Sequence, residues 1–159
     1  MTDPTRSLEE RITRLEDIEA IKQLKARYCE ICDDDHDPER ITSVFTVDGV
    51  WEGKGIGRAA GHEEIRALFS RFQQAIRFSQ HMTMNPIIEV DGDTARGTWY
   101  FFGPFTMEPT KEAGKQALWQ ACRYHERYQK VDGRWLIAEL RIRGPRMAAN
   151  YETGWAGQN

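Results

Sequence analysis

Two separated segments of the sequence carry residue types that could form an acid–base site. His81 lies in the segment Ser79–Asn85, where alternate side chains of a strand would share one face and place the histidine in a polar row. A polar row on a buried face has to be satisfied by partners, or it lines a cavity. Tyr28 and Asp33 lie five residues apart at the end of a predicted helix, so both can face whatever that helix packs against.

If the fold brings Asp33 to His81, the pair has a defined chemistry. A carboxylate bonded to one imidazole nitrogen fixes the tautomer and raises the basicity of the other nitrogen, which gives a general base near neutral pH. The alternative is that Asp33 is a helix-end carboxylate, Tyr28 a core aromatic and His81 a structural histidine. The residues alone leave both interpretations open.

Other candidate residues give weaker signals. Cys29 and Cys32 have the spacing of a redox or zinc half-site, but they lie in a helical stretch without a second pair, so small buried side chains are predicted. The glycine cluster at 53–57 lacks the ending of a phosphate-binding loop and is predicted to be a plain loop. His36 lies in an acidic loop, and His62 is expected to be exposed. Without metal spacing or a dinucleotide fingerprint, neither a metal nor an organic cofactor is predicted.

Helical periodicity dominates the first half of the chain. Ser7 and Glu10 form a capping box, and apolar residues then recur at steps of three or four, which predicts a helix that ends near Cys32. Asp37 followed by Pro38 begins a second, short helix. A third helix is predicted at about residues 63–76.

The second half has the pattern of an antiparallel sheet, because Asp-Gly turns at 91–92 and 132–133 each join two long strand-like runs. The predicted strands are 47–51, 78–90, 94–107, 116–131 and 134–143. Regular structure is predicted to end at Gly144-Pro145. Long antiparallel strands after helices favour an α+β fold in which a curved sheet wraps around about three helices.

Size and charge narrow the classes of function. The 159 residues fit a single domain over 1–159, with a core at about 7–143 and a C-terminal tail at 144–159. The net charge is −3 and no basic stripe is present, so nucleic acid and anionic membrane are not expected as partners. We expect no signal peptide and no membrane helix, and therefore a cytoplasmic protein with reduced cysteines.

Several segments together resemble one known superfamily. They are 17–28, 45–51, 81–86, 90–95, 124–128 and 132–137, with Asp33 and Gly61 between them. Over about residues 10–143 the chain resembles the SnoaL-like superfamily, which has the cone-shaped α+β fold of nuclear transport factor 2. The resemblance implies that fold for this chain.

Within the superfamily, the pattern is most similar to the lyase branch, which contains scytalone dehydratase, hexachlorocyclohexane dehydrochlorinase and bile-acid 7α-dehydratase. Those enzymes share a histidine–aspartate dyad, and the resemblance implies this role for His81 and Asp33. Tyr28 matches a site tyrosine of the bile-acid enzyme. A further acid of that enzyme is replaced here by the segment 101–103, and its late arginine has near counterparts in Arg141 and Arg143.

The resemblance implies a cofactor-independent, dehydratase-type elimination on an apolar cyclic or polycyclic, steroid-like small molecule. In this scheme His81 removes a proton from carbon, Asp33 orients the imidazole, and Tyr28 donates to a carbonyl or to the departing hydroxyl. The side chains expected to contact the substrate are Trp51, Phe69, Phe72, Trp99, Phe101, Trp119 and Arg141. The alternatives are a ketosteroid-isomerase-like isomerase, a polyketide cyclase and a non-catalytic small-molecule-binding module.

A homo-oligomer is also expected. Aromatic residues alternate along the long strands, including Trp99, Trp119, Tyr124 and Trp135, so an apolar face would remain outside the helices unless copies of the chain cover it. The resemblance to trimeric lyases favours a trimer over a dimer.

Overall fold

The computed structural model describes residues 7–111, 114 and 116–150, and for 144–150 it describes the backbone alone. The elements in chain order are α1 (Leu8–Asp33), a 3₁₀ helix (Ile41–Val44), β1 (Phe45–Gly53), β2 (Gly57–Ala60), α2 (Gly61–Ala75), β3 (Ile76–Ser79), β4 (Met82–Asp91), β5 (Thr94–Met107), β6 (Gln116–Val131) and β7 (Arg134–Asn150). In the described part of the chain, neither α-helix combines the length and hydropathy needed to span a bilayer.

All seven strands form one sheet. Its order is β2-β1-β7-β6-β5-β3, and β4 also pairs with β5. Strands β3 and β4 therefore share one edge of β5: β3 pairs with the end of β5 and β4 with the preceding part. The pairings are antiparallel except that β1 lies parallel to β7, which corrects the expectation of a wholly antiparallel sheet. The predicted α+β class, with helices in the first half and an antiparallel-rich sheet, is confirmed.

Helix α1 begins as the sequence predicts, because Ser7 and Glu10 form the capping box in both directions. Its second half is buried against the sheet and includes Ile21, Leu24 and Tyr28, with 0%, 7% and 2% of their surface exposed. The helix continues to Asp33, one residue beyond the predicted end, which places the carboxylate at the edge of the core.

The prediction of three helices is wrong for the described residues, which contain two α-helices and a four-residue 3₁₀ helix. The segment after α1 forms a turn because Asp37 Oδ1 accepts hydrogen bonds from the backbone N–H groups of Glu39 and Arg40. The chain then forms the 3₁₀ helix Ile41–Val44 and enters strand β1 at Phe45.

The predicted end of regular structure at Gly144-Pro145 is also wrong, because β7 continues to Asn150. Ala121 pairs with Met147 and Arg123 with Arg143, so residues 144–146 of β7 lie opposite a single residue of β6. Such a bulge accommodates a proline, which cannot donate to a regular ladder.

A buried polar network joins α1 to the inner face of the sheet. Lys25 Nζ lies 2.5 Å from Glu126 Oε1, and neither side chain has any exposed surface. Tyr128 donates from its hydroxyl to the second oxygen of Glu126, and Trp99 Nε1 donates to Tyr128 Oη at 2.9 Å. The network satisfies four polar side chains inside an otherwise apolar core, as burial requires.

Candidate active site

A break between β3 and β4 positions His81. The backbone N–H of Gln80 donates to the carbonyl of Pro104 at 3.2 Å, which holds the break against β5. A side chain at Gly103 would come within 2.1 Å of the Gln80 carbonyl oxygen, so the close approach requires glycine. The predicted continuous strand over 78–90 is therefore interrupted, and His81 follows the end of β3 rather than belonging to a regular polar row.

The predicted hydrogen bond between Asp33 and His81 is present. His81 Nδ1 lies 2.6 Å from Asp33 Oδ1, and the backbone N–H of His81 donates to both carboxylate oxygens at 2.9 and 2.8 Å. The hydroxyl of Ser79 donates to Asp33 Oδ1 at 3.2 Å. Four contacts therefore hold the carboxylate against the imidazole, and Asp33 reaches across from the end of α1 to the strand break.

This arrangement determines which nitrogen of His81 can act as a base. An ionised carboxylate only accepts hydrogen bonds, so Nδ1 carries the proton and Nε2 keeps its lone pair. Burial lowers the pKa of His81 below its ordinary value, and the hydrogen bond and charge of Asp33 oppose that shift. The imidazole is thus neutral at neutral pH, with the Nε2 lone pair available to accept a proton.

His81 opens into a cavity with a volume of about 260 Å³. Its lining is largely aromatic and aliphatic, and the polar side chains in it are few. They are Tyr28, Cys32, His36, His81, Gln120, Cys122 and Tyr124. An apolar cavity with a small number of polar groups is the usual form of a small-molecule site.

Tyr28 reaches the cavity as predicted. Its hydroxyl oxygen accepts a hydrogen bond from Trp51 Nε1 at 3.0 Å, and its ring packs edge-on against Phe69 at 6.5 Å between centroids. Burial raises the pKa of Tyr28 well above its ordinary value. The phenol therefore keeps its proton and acts as a hydrogen-bond donor rather than as an acid of near-neutral pKa.

Four further predicted contact residues line the same cavity, namely Trp51, Phe69, Phe72 and Phe101. The structure does not bring the other three there. Trp99 lies beyond the cavity in the polar network with Tyr128. Trp119 stacks on Phe102, with 4.9 Å between ring centroids. Arg141 pairs with Glu139 and, at 3.8 Å, with Glu52.

Strand alternation explains the outward positions. On β7, Leu140 is buried and Ile142 lines the cavity, so Arg141 between them points to the other face. On β5, Phe101 and Phe105 are buried, and Phe102 lies on the opposite face together with its stacking partner. Once one inward-facing residue of a strand is known, alternation predicts which of its other side chains face the cavity.

His36 is a site residue that the sequence patterns did not indicate. It is 4% exposed, lines the cavity, and its ring lies 5.8 Å from that of His81 between centroids. Asp35 and His36 both adopt positive φ, 61° and 52°, which turns the chain back under the end of α1. Burial, then the neighbouring His81, lowers the pKa of His36 to about 4. The acidic residues around His36 predict a solvated loop, and no sequence pattern indicates the turn that buries it.

One group of three potential metal ligands occurs among the described residues. One ligand atom from each of Cys32, His36 and His81 lies within 4.8 Å of the others. Burial raises the pKa of the Cys32 thiol well above its ordinary value, so the thiol is protonated. In this form the three groups make up a polar part of the wall of the apolar cavity.

The fold and site define a small α+β domain with an internal apolar cavity and a histidine–carboxylate pair at its wall. The chain belongs to the SnoaL-like domain family, whose model matches residues 13–141. This confirms the family resemblance.

Solved structures share the fold. A provisionally assigned aromatic ring hydroxylase from Novosphingobium aromaticivorans is similar at 25% identity, with a TM-score of 0.74 over 85% of this chain and 94% of that one. A hexachlorocyclohexane dehydrochlorinase from Novosphingobium barchaimii is 23% identical, with a TM-score of 0.72 over 84% and 89% of the two chains. A provisionally assigned scytalone dehydratase from Novosphingobium aromaticivorans is 19% identical, with a TM-score of 0.77 over 94% and 99%.

Proposed function

We propose that this protein is a lyase that eliminates water from an apolar cyclic small molecule, with His81 as general base. The observation that carries the proposal is the Asp33–His81 pair: Nδ1 of the largely buried imidazole bonds the carboxylate, and the ring lines the apolar cavity. A neutral imidazole in this position has the protonation state and the access that proton abstraction requires.

The proposed reaction balances without an added reagent. Nε2 of His81 takes a proton from a carbon of the substrate, and Asp33 stabilises the imidazolium that forms. The C–O bond at the neighbouring carbon then breaks, and the departing hydroxide receives a proton from His81, so that water leaves and the neutral base is restored. Tyr28 donates a hydrogen bond to a substrate carbonyl or to the departing oxygen, which stabilises developing negative charge.

Cavity size limits the substrate. An apolar cavity of about 150 Å³ accommodates benzene, and the cavity here has about 260 Å³. A substrate of one or two rings therefore fits without rearrangement. Within the cyclic or polycyclic class that the resemblance implies, the smaller members suit this cavity best.

A panel of one- and two-ring β-hydroxy ketones tests the proposal. Elimination is expected to give the conjugated enone, detected by its ultraviolet absorption and by the loss of one water in mass spectrometry. Parallel reactions in deuterated water identify the alternatives, because an isomerase or cyclase moves or exchanges a proton without loss of water. Saturable binding without any chemical change would instead indicate a non-catalytic binding module.

A cytoplasmic location is part of the proposal. Cys29 and Cys32, both buried in the described part of the chain, are free thiols. Proteins of reducing compartments keep cysteines in this form.

We also expect the protein to assemble as a homotrimer. The aromatics Trp99, Phe101, Tyr124 and Trp135 are buried inside the chain, which corrects the expectation that they leave an exposed aromatic face. The apolar surface on β4 and β5 instead includes Met84, Ile87 and Tyr100, which are 39%, 66% and 45% exposed.

Light scattering in dilute buffer measures the assembly. A particle of about three times 18.5 kDa is expected. A mass of twice that value would favour the dimer, and a mass equal to it would exclude oligomerisation.

A further inference from the structure

We propose that Cys32, His36 and His81 form an oxygen subsite, a place in the cavity wall that binds one hydroxyl or carbonyl oxygen of the ligand, and that His36 supplies the selectivity of this subsite for oxygen. The inference deepens the proposed function and rests on it for the identity of the oxygen, which would be the departing hydroxyl. Binding of an oxygen-bearing ligand at this place does not require turnover.

The distances fit a single bound oxygen. One heteroatom from each of the three side chains lies within 4.8 Å of the other two. Atoms separated by no more than 4.8 Å can share one oxygen that lies about 2.7–3.2 Å from each, which is the range of N–H···O hydrogen bonds. Aromatic rings surround the cluster, since the His36 ring lies 6.2 Å from Phe69 and 5.9 Å from Phe72 between centroids.

His36 is held toward the cavity at a conformational cost. Its φ of 52° is in the left-handed region, and its backbone N–H donates to the carbonyl of Cys32 at 3.3 Å. Such backbone geometry is strained for most non-glycine residues and is concentrated at functional sites. The turn places the imidazole beneath the end of α1. An apolar side chain there would pack equally well, so packing alone does not explain the polar imidazole.

The chemistry of the three groups is complementary to an alcohol or ketone. A neutral imidazole has one N–H donor and one acceptor nitrogen, and a thiol is a weak donor. His36 donates to the ligand oxygen, and His81 presents its unprotonated Nε2 beside it. A hydrocarbon of the same shape would leave the N–H of His36 without a partner, which costs binding free energy.

A matched pair of probes tests the subsite directly. Benzyl alcohol and ethylbenzene have similar size, and their dissociation constants are measured by NMR titration. Transfer from water into an apolar cavity favours ethylbenzene, because a buried hydroxyl loses its hydrogen bonds to water, so the readout is the ratio of the two affinities. In His36→Phe the affinity for benzyl alcohol relative to that for ethylbenzene is expected to fall about tenfold from the native value, the factor that corresponds to one net hydrogen bond. His125→Phe replaces an exposed histidine on the outer face and is expected to retain the native ratio.

A second variant covers a failure of His36→Phe to fold. Asparagine adopts positive φ readily, so His36→Asn preserves the turn while its amide ends short of the subsite. Circular dichroism checks folding of both variants. An unchanged ratio of the two affinities in a folded His36 variant would overturn the inference, as would binding of ethylbenzene without any binding of benzyl alcohol by the native chain. Selective binding without elimination of any hydroxy ketone would support the subsite and reject the proposed function.

Discussion

Replacement of His81 by glutamine is expected to lower turnover by about 10²–10⁴-fold, because general base catalysis contributes a factor of that size. Glutamine keeps a polar side chain at the strand break but has no basic nitrogen. The fold is expected to persist, since the backbone N–H of His81 still donates to Asp33 at 2.8–2.9 Å. Steady-state rates and circular dichroism on the same preparation measure both outcomes.

His125→Gln is the matched control, because His125 is exposed on the opposite face of β6 and is not among the residues that line the cavity. It is expected to retain native activity. Turnover by His81→Gln within a factor of about three of the native rate would remove the general base from the mechanism and leave another group of the cavity to act.

Asp33→Asn independently tests the role of the carboxylate, because it is expected to change both the turnover and the pKa of His81 in a known direction. Both carboxylate oxygens accept from the backbone N–H of His81, so an amide NH₂ in place of one oxygen would face another donor and disturb the imidazole. Turnover is expected to fall by about 10²–10⁴-fold. The carboxylate also raises the pKa of His81 against the effect of burial, so its removal lowers that pKa further.

The pH profile reports this shift. In the native chain, kcat/KM is expected to fall on the acid side as His81 is protonated, with a midpoint below pH 6.5 because its pKa is lowered from that value. In Asp33→Asn the midpoint is expected at still lower pH, together with the reduced maximum. A midpoint that moves to higher pH would contradict the electrostatic role of Asp33.

The residues alone left the Asp33–His81 contact open, and the resemblance to the SnoaL-like lyases implied it; local patterns define only the elements that carry the two residues. Apolar spacing and the capping box determine where α1 begins and which side it buries, and the Asp-Gly turns determine the alignment of the long strands. A helix packed on a curved sheet then leaves few places for its terminal carboxylate. The distance between Asp33 and His81 follows from these elements rather than from the two residues themselves.

The errors concern features that depend on tertiary contacts. The inward face of β7 cannot be read from a strand with side chains of mixed polarity, which is why Arg141 was expected in the cavity and Ile142 was not. His36 lies in a run of acidic residues, and its burial results from Phe69 and Phe72 on α2, which are far away in the sequence. The sequence near Arg141 and near His36 therefore does not indicate whether the side chain faces the cavity or the solvent.

Replacement of Lys25 by methionine is expected to lower the free energy of unfolding by about 3–5 kcal/mol, since removal of one member of a buried ion pair leaves the other charge uncompensated. Glu126 would remain wholly buried, with Tyr128 as its remaining hydrogen-bonding side chain. The loss has a second component, because Lys25 Nζ lies 3.7 Å from the ring centroid of Tyr124 and 4.4 Å from that of Tyr28. Both tyrosines line the cavity, so the ion pair also supports the floor of the site.

Lys22→Met is the matched control, because Lys22 lies one turn earlier on α1 and pairs with Glu19 at 3.5 Å in an exposed position. Its loss is expected to cost about 0–1 kcal/mol. Urea unfolding followed by circular dichroism measures both variants. The double variant Lys25→Met with Glu126→Gln removes the uncompensated charge while leaving an amide to accept from Tyr128, and is expected to regain most of the loss. If Lys25→Met cost no more than Lys22→Met, the buried pair would contribute nothing beyond packing, and the network would not be what holds the two tyrosines in the cavity wall.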